Sequence, residues 1–371
     1  VIAHIVANDP ERRIINITGG EPTQHPQFER LIELCHEAGL HRITVSTHGL
    51  RFLKDEALVA RLAALDARIV LSFDSFRAET NKTMLGGSFL DGKLRVLELL
   101  EKYNVNTTLL PVLARGVNSD EVGAFIKLAL ERPFIRSLEL HTMTFTGQSG
   151  AQFDKVGRYT PYDVLVDIEQ QTAGALRISD FVPSPAAHPL CYQVTYLLQT
   201  GQAGASRTTL DAWTPFARFM APSDMRAMLA GQLYLEPTSQ MEATLADVIN
   251  RLWSGEIEFD RSDEVLRALR RVVDEAFDPQ RDAVARMRAA EMSAKAIYVH
   301  SHMDEDTFDT DRIRQCCVGI REPDGRNIPS CAYNVLYRER DARFAGGTAA
   351  PPAPALITLG KGRSGSPGKQ S

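Results

Sequence analysis

The chain has 371 residues, 44% of them apolar, a formal charge of -5 and a pI near 6.0. Nucleic-acid binding usually shows as a basic surplus or a clustered basic face, and neither is present. No apolar run reaches the roughly 18 residues of a membrane span, so the composition fits a cytoplasmic enzyme with one barrel-sized domain and a smaller one.

The opening Val1-Ile2-Ala3-His4 has no charged leader and reads as part of a helix, so further residues are expected upstream of it. Five short apolar runs follow, at Arg13–Thr18, Arg42–Thr47, Arg68–Asp74, Val105–Leu113 and Ser137–Phe145. They are rich in Ile, Val, Leu and Thr and have the length of buried parallel strands. Helical patterns fill the gaps. Phe28, Leu31, Ile32, Cys35 and Ala38 share one face and end at Gly39. Leu58, Val59, Leu62 and Leu65 mark a second helix, and Leu94, Leu97 and Leu100 a third. Ser119 is the predicted N-cap of a fourth, which buries Val122, Phe125, Ile126 and Ala129.

Such regular alternation implies a parallel sheet with right-handed crossovers, either open and doubly wound or closed into a barrel. Beyond Phe145 the pattern changes. Pro161–Gly174 reads as helix, Asp180–Tyr192 carries three prolines, and 210–295 is helical in pattern. From Ala345 the chain is Gly, Pro, Ala, Ser and Lys, which predicts a disordered tail.

Ligands of parallel α/β sheets bind at the carboxyl ends of the strands. The first strand ends in Thr18-Gly19-Gly20-Glu21-Pro22, where the glycines allow close backbone approach and Glu21 can accept from an ammonium group. A tight turn with a solvated acid is the competing reading. The second strand ends in Ser46-Thr47-His48-Gly49 and the third in Ser72-Phe73-Asp74-Ser75. Three polar strand ends in succession point to a ligand, since any one alone would pass as ordinary loop polarity.

The cysteines are Cys35, Cys191, Cys316, Cys317 and Cys331. Their odd number and C-terminal clustering favour metal or cluster ligation over a disulfide framework. Cys35 falls on a helix core face and reads as structural. Four soft thiols select an iron–sulfur cluster or zinc, with His188, His300 and His302 nearby in sequence; scattered small hydrophobes are the bland alternative. His302, Asp304 and Asp309 read either as partners that orient such a centre or as an acidic helix start.

Ile17-Thr18-Gly19-Gly20-Glu21-Pro22-Thr23, then Ser46-Thr47-His48-Gly49, then Ser72-Phe73-Asp74-Ser75 resemble, in order and spacing, the S-adenosylmethionine (SAM) site of radical SAM enzymes. The resemblance implies a partial (β/α)6 barrel lacking its first strand, followed by a mostly helical auxiliary cluster-binding domain. It implies SAM contacts from Gly19, Gly20, Glu21 and Pro22, and from Ser46, Thr47, Ser72 and Asp74. His48 departs from the family pattern, where Asn often stands. The segments around His188–Cys191, His302–Asp304, Cys316-Cys317 and Cys331–Asn334 are similar to the dihydropterin dimethyltransferase-like subgroup, which includes tetraether lipid synthases.

By that resemblance, Cys191, Cys316, Cys317 and Cys331 hold an auxiliary [4Fe–4S] cluster. A second [4Fe–4S] cluster would cleave SAM to a 5′-deoxyadenosyl radical for C–C bond formation or methyl transfer on a lipid or pterin-like substrate. A flavodoxin or ferredoxin would donate electrons. The expected organisation is a barrel over 1–180, an auxiliary domain over 181–340 and a tail over 341–371. Residues 1–371 contain no Cys-x-x-x-Cys-x-x-Cys loop to hold the SAM cluster, so on their own they are expected to be inactive. The alternatives are a non-catalytic iron–sulfur or zinc-binding homologue, and an unrelated barrel enzyme.

Overall fold

A computed structural model describes residues 2–8, 14–40, 42–146, 153, 155–201, 210–229, 231–322 and 324–338. The expected tail at 341–371 and most of the loop at 146–150 lie outside the described residues.

Helix α1 (Ile2–Asn8) leads into β1 (Ile14–Ile17), α2 (Phe28–Glu37), β2 (Arg42–Thr47), α3 (Glu56–Ala64) and β3 (Arg68–Ser72). Then come α4 (Ala78–Leu85), α5 (Leu90–Lys102), β4 (Thr107–Leu110), β5 (Val112–Leu113), α6 (Val122–Glu131), β6 (Ile135–Thr142) and α7 (Pro161–Gln171). Strands β1, β2, β3, β4 and β6 pair in parallel in that order, and β5 continues along β6. All five apolar runs are therefore strands of one sheet. Each helix is held to the sheet by its periodic apolar face: Phe28, Ile32 and Cys35 of α2, Leu58 and Leu62 of α3, and Phe125 and Ile126 of α6 are buried in one core with Val45, Ile69, Leu71 and Leu138.

Ser119 is not the cap of α6. A 3₁₀ turn at Ser119–Glu121 intervenes, and the Ser119 hydroxyl accepts from the backbone N–H of Gly116 instead. Glu121 is turned inward, where Phe76 N–H and Ser75 donate to its carboxylate.

The second half of the chain adds strands as well as helices. Helices α8 (Pro222–Leu229), α9 (Ser239–Trp253), α10 (Ser262–Ala276) and α11 (Ala283–Ser293) supply the expected helical region. Around them lie β7 (Val182–Pro183), β8 (Tyr192–Gln199), β9 (Trp213–Pro215) and β10 (Ala294–His300). Strand β10 pairs parallel to β6, and β8 antiparallel to β10, so the sheet crosses the expected boundary at residue 180. The run Ala294–His300 follows α11 without a turn residue between them, which hides it from a periodicity reading. A last hairpin, β11 (Gly319–Arg321) with β12 (Asn327–Pro329), follows the short helix α12 (Thr310–Arg314).

Strand order runs β1-β2-β3-β4-β6-β10-β8-β7. Residues from β2 (Thr44), β3 (Val70), β4 (Thr108), β6 (Ser137), β10 (Tyr298) and β8 (Tyr196) nevertheless line one cavity of about 60 Å³. A flat sheet would hold β2 and β8 about 24 Å apart at the usual strand spacing. The sheet is therefore curled into a partial barrel around a small lumen. Its floor is an ion cluster in which Glu291 of α11 pairs with Arg42 and Arg68 at the starts of β2 and β3. A second core, built by α9 and α10 with Val194, Tyr196 and Tyr298, closes the far side.

Candidate functional site

At the carboxyl ends of β1 and β2 the polar side chains bind one another. Oε1 of Glu21 accepts from Thr23 N–H (3.1 Å), the Thr23 hydroxyl (2.5 Å) and the Thr47 hydroxyl (2.7 Å). Its Oε2 accepts from His48 N–H at 2.9 Å and lies 3.2 Å from His48 Nε2. Burial pushes the Glu21 carboxyl up, but these hydrogen bonds outweigh it and hold the group below its ordinary value. A carboxylate offers about four acceptor positions, and these are taken. In this arrangement Glu21 staples two strand ends together.

Thr47 is likewise engaged, since its hydroxyl donates to Glu21 and accepts from Gly49 N–H at 2.9 Å. Ser46 donates to Asn16 at 3.2 Å. Pro22 opens a 3₁₀ turn with Glu21 as its cap. Gly19 and Gly20 are exposed, with open space where side chains would stand, and Gly19 has φ +137°. Backbone at these two residues is thus the part of the motif free to meet a ligand.

Ser72 and Asp74 belong to a buried network at the end of β3. Ser72 donates to Asp74 Oδ2 at 3.2 Å, Asp74 Oδ1 accepts from Val112 N–H at 2.9 Å, and the Lys93 ammonium donates to the Ser72 carbonyl. Burial pushes the Asp74 carboxyl up and the Lys93 ammonium down. Asn118 locks the loop by donating to the carbonyls of Asp74 and Val112 at 2.7 and 2.8 Å.

The ends of β6, β10 and β8 differ. Glu139 and His141 point to the same side of β6, and His300 of β10 stands opposite His141 in register. Glu139 Oε1 is 2.9 Å from His141 Nε2 and 3.3 Å from His300 Nδ1, and the two ring nitrogens are 3.2 Å apart. Tyr192 stacks on His300 at 3.7 Å and its hydroxyl reaches Glu139 at 3.4 Å. His302 completes a set of three imidazoles, each with one ring nitrogen within 4.8 Å of the others. Burial holds His300 down at about 4 and His302 well below the ordinary range, so both rings are neutral at pH 7. Glu139 and His141 were not singled out from sequence. The available signal was polar residues at a two-residue spacing on an otherwise apolar strand, matched by His300 and His302.

The other four cysteines come together. Cys191, Cys316, Cys317 and Cys331 line one small cavity with His300 and His302. Cys191 Sγ accepts from Arg312 Nε and Cys331 Sγ from Met303 N–H, both at 3.3 Å, while Cys331 lies 3.5 Å from His302 Nδ1. Cys316 donates to the Val318 carbonyl at 3.1 Å. Burial pushes Cys317 up to about 12 and raises Cys331, so as isolated groups these two remain thiols at neutral pH. His188 stays apart and accepts from Leu190 N–H. Cys35 is fully buried in the helix–sheet core, where burial lifts it to about 11. Asp309 caps α12, and Asp304 is held by Arg158 at 2.6 Å, so of the polar run only His302 touches the cysteine cavity.

Among the described residues, no helix is long and apolar enough to cross a membrane. The family model described as "Radical SAM superfamily" matches residues 1–129. The chain is 26% identical over 346 residues to the 7,8-dihydro-6-hydroxymethylpterin dimethyltransferase of Methanocaldococcus jannaschii, covering 89% of this chain and 68% of that protein. It is 30% identical over 172 residues to a probable GTP 3′,8-cyclase of Saccharolobus islandicus, covering 45% of this chain and 54% of that one. The chain thus spans about two thirds of the first relative and about half of the second. Among solved structures, Streptococcus suis SuiB bound to S-adenosylmethionine has a TM-score of 0.38 at 17% identity, covering 46% of this chain and 40% of that one. The protein anSMEcpe with bound AdoMet has a TM-score of 0.36 at 20% identity, covering 47% and 52%.

Proposed function

The chain belongs to the radical SAM superfamily, and on that premise we propose that it is the barrel and cysteine-rich part of an enzyme that transfers methyl groups or forms C–C bonds on a pterin-like or lipid substrate. One observation carries this reading: Cys191, Cys316, Cys317 and Cys331, distant in sequence, line one cavity at the barrel's carboxyl edge. The match to the pterin dimethyltransferase, which runs through 89% of the chain, supports the methyl-transfer class.

SAM would meet the exposed backbone of Gly19 and Gly20, with Ser46, Ser72 and Asp74 behind it as the walls of its pocket. Bound together, SAM and its [4Fe–4S] cluster supply one-electron chemistry. Residues 1–371 include no three-cysteine loop for that cluster.

The cysteine cavity fits an auxiliary [4Fe–4S] cluster. Four sulfurs from three separate segments around one cavity match the ligand count of such a cluster. Arg312 and Met303 N–H already donate to two of the sulfurs, and such bonds are one means by which proteins set a cluster's potential. A small electron carrier such as flavodoxin or ferredoxin would reduce it.

The test is anaerobic reconstitution of the 371-residue chain with iron and sulfide. About one cluster per chain is expected by iron and acid-labile sulfide content, and its loss when Cys191 and Cys331 are both changed to Ser. Bound zinc with no iron or sulfide would overturn the cluster and favour a non-catalytic zinc-binding homologue. The same preparation should release no 5′-deoxyadenosine from SAM.

A further inference from the structure

The imidazole set at the ends of β6 and β10 remains outside that reading. The geometry points to a second, mononuclear metal site, in which His141, His300 and His302 bind one divalent ion of the zinc or ferrous class and Glu139 is their carboxylate partner. Three ring nitrogens lie within 4.8 Å of one another, and two of the rings, those of His141 and His300, meet at 3.2 Å. Ligands of a tetrahedral ion with bonds of about 2.0–2.1 Å stand about 3.3–3.4 Å apart, so a small movement of the rings brings them to ligation.

The surroundings suit a cation. Glu139 places a buried carboxylate oxygen 2.9 Å from His141 Nε2 and 3.3 Å from His300 Nδ1, so a negative charge stands among the nitrogen donors rather than behind them. His300 Nδ1 and His141 Nε2 face each other and both face the same oxygen of Glu139, which gathers three donor atoms about one point.

The position gives the site a role. Glu139 lines the lumen, while His300 and His302 line the cysteine cavity, so the imidazoles stand in the wall between the two. Three protein ligands leave a coordination position for an oxygen or nitrogen of a small molecule in the lumen.

The site does not depend on the auxiliary cluster, and the experiment keeps them apart. The metal-free chain is titrated with Co(II) and with Zn(II), without iron or sulfide. One tightly bound equivalent is expected, with cobalt d–d bands but no thiolate charge-transfer band. The zinc absorption edge should show a nitrogen and oxygen shell at about 2.0–2.1 Å with imidazole scattering and no sulfur at about 2.3 Å. His300→Ala and His141→Gln should each lower affinity at least tenfold, whereas Cys316→Ser with Cys317→Ser should leave it unchanged. A sulfur shell, or undiminished binding by both histidine variants, would overturn the proposal. The spectra of the unaltered chain decide the matter even if a variant fails to fold.

Discussion

The two halves of the barrel's carboxyl edge use polar side chains in opposite ways. At β1–β3, Glu21, Thr47, Ser72 and Asp74 are spent on each other and on nearby backbone, and the bonds run between neighbouring strands and loops. At β6, β10 and β8, imidazoles and thiols crowd together with few strong bonds among them. Buried polar groups that satisfy one another stabilise a fold, whereas groups gathered without good partners are a cost borne for binding. The Gly-Gly-Glu-Pro turn thus ties its side chain to the neighbouring strand end and leaves the backbone of Gly19 and Gly20 exposed. The less conspicuous half holds the donor atoms.

Substitutions on the two sides put that contrast to the test. Removing the staple should have the largest effect: Glu21→Ala is expected to cost about 3 kcal/mol at neutral pH in chemical denaturation, because it strands several donors. The Glu21 carboxyl is held below its ordinary value, so its stabilisation is complete above the unfolded pKa of about 4.3 and is lost as pH falls through the lower folded value. The gap between variant and parent should therefore narrow below about pH 4. A gap that does not change with pH would mean the charge is not what matters.

Gly49→Ala should come next, at about 2 kcal/mol. Its Cβ would stand 2.7 Å from Val96 and 2.9 Å from Leu71, at φ +78°. Thermal unfolding checks it, and an unchanged Tm would show that the turn beneath His48 is slack. The smallest effect is expected across the barrel. His302→Leu should change metal-free stability by less than about 1 kcal/mol in either direction. Saturating zinc at a hundred times its Kd should add about 2.7 kcal/mol to the parent and much less to the variant. A large metal-free loss would instead make the imidazoles structural.

The parallel strands and their helices were legible because each carries its own periodic signal. Val45 and Leu138 stand in strands of half-buried alternation, Ile69 stands in a continuously buried run, and α2, α3 and α6 each show an apolar stripe. Strand-end polarity located the right edge of the sheet, and thiol chemistry identified the cysteines that meet. Three things were not legible. That Glu21 is saturated depends on Thr47 and His48 lying beside it, which follows from β1–β2 register. That His141 meets His300 depends on β10 pairing with β6 across more than 150 intervening residues. Strand β10 itself is masked by the alanine-rich helix that runs directly into it. Local pattern reveals elements, while partners far apart in the chain are settled only when the sheet closes.

That closure has a consequence for how the protein is made. Strand β6 ends at Thr142 and its neighbour β10 begins at Ala294. At synthesis rates of about 5–20 residues per second, β6 emerges roughly 8–30 s before the strand that covers its edge. During that interval a buried-type parallel strand stands with unpaired backbone groups, the state most prone to pair with another chain. Slower elongation through 143–293 would lengthen the exposure, and a chaperone acting on the nascent chain would find its natural target at that edge.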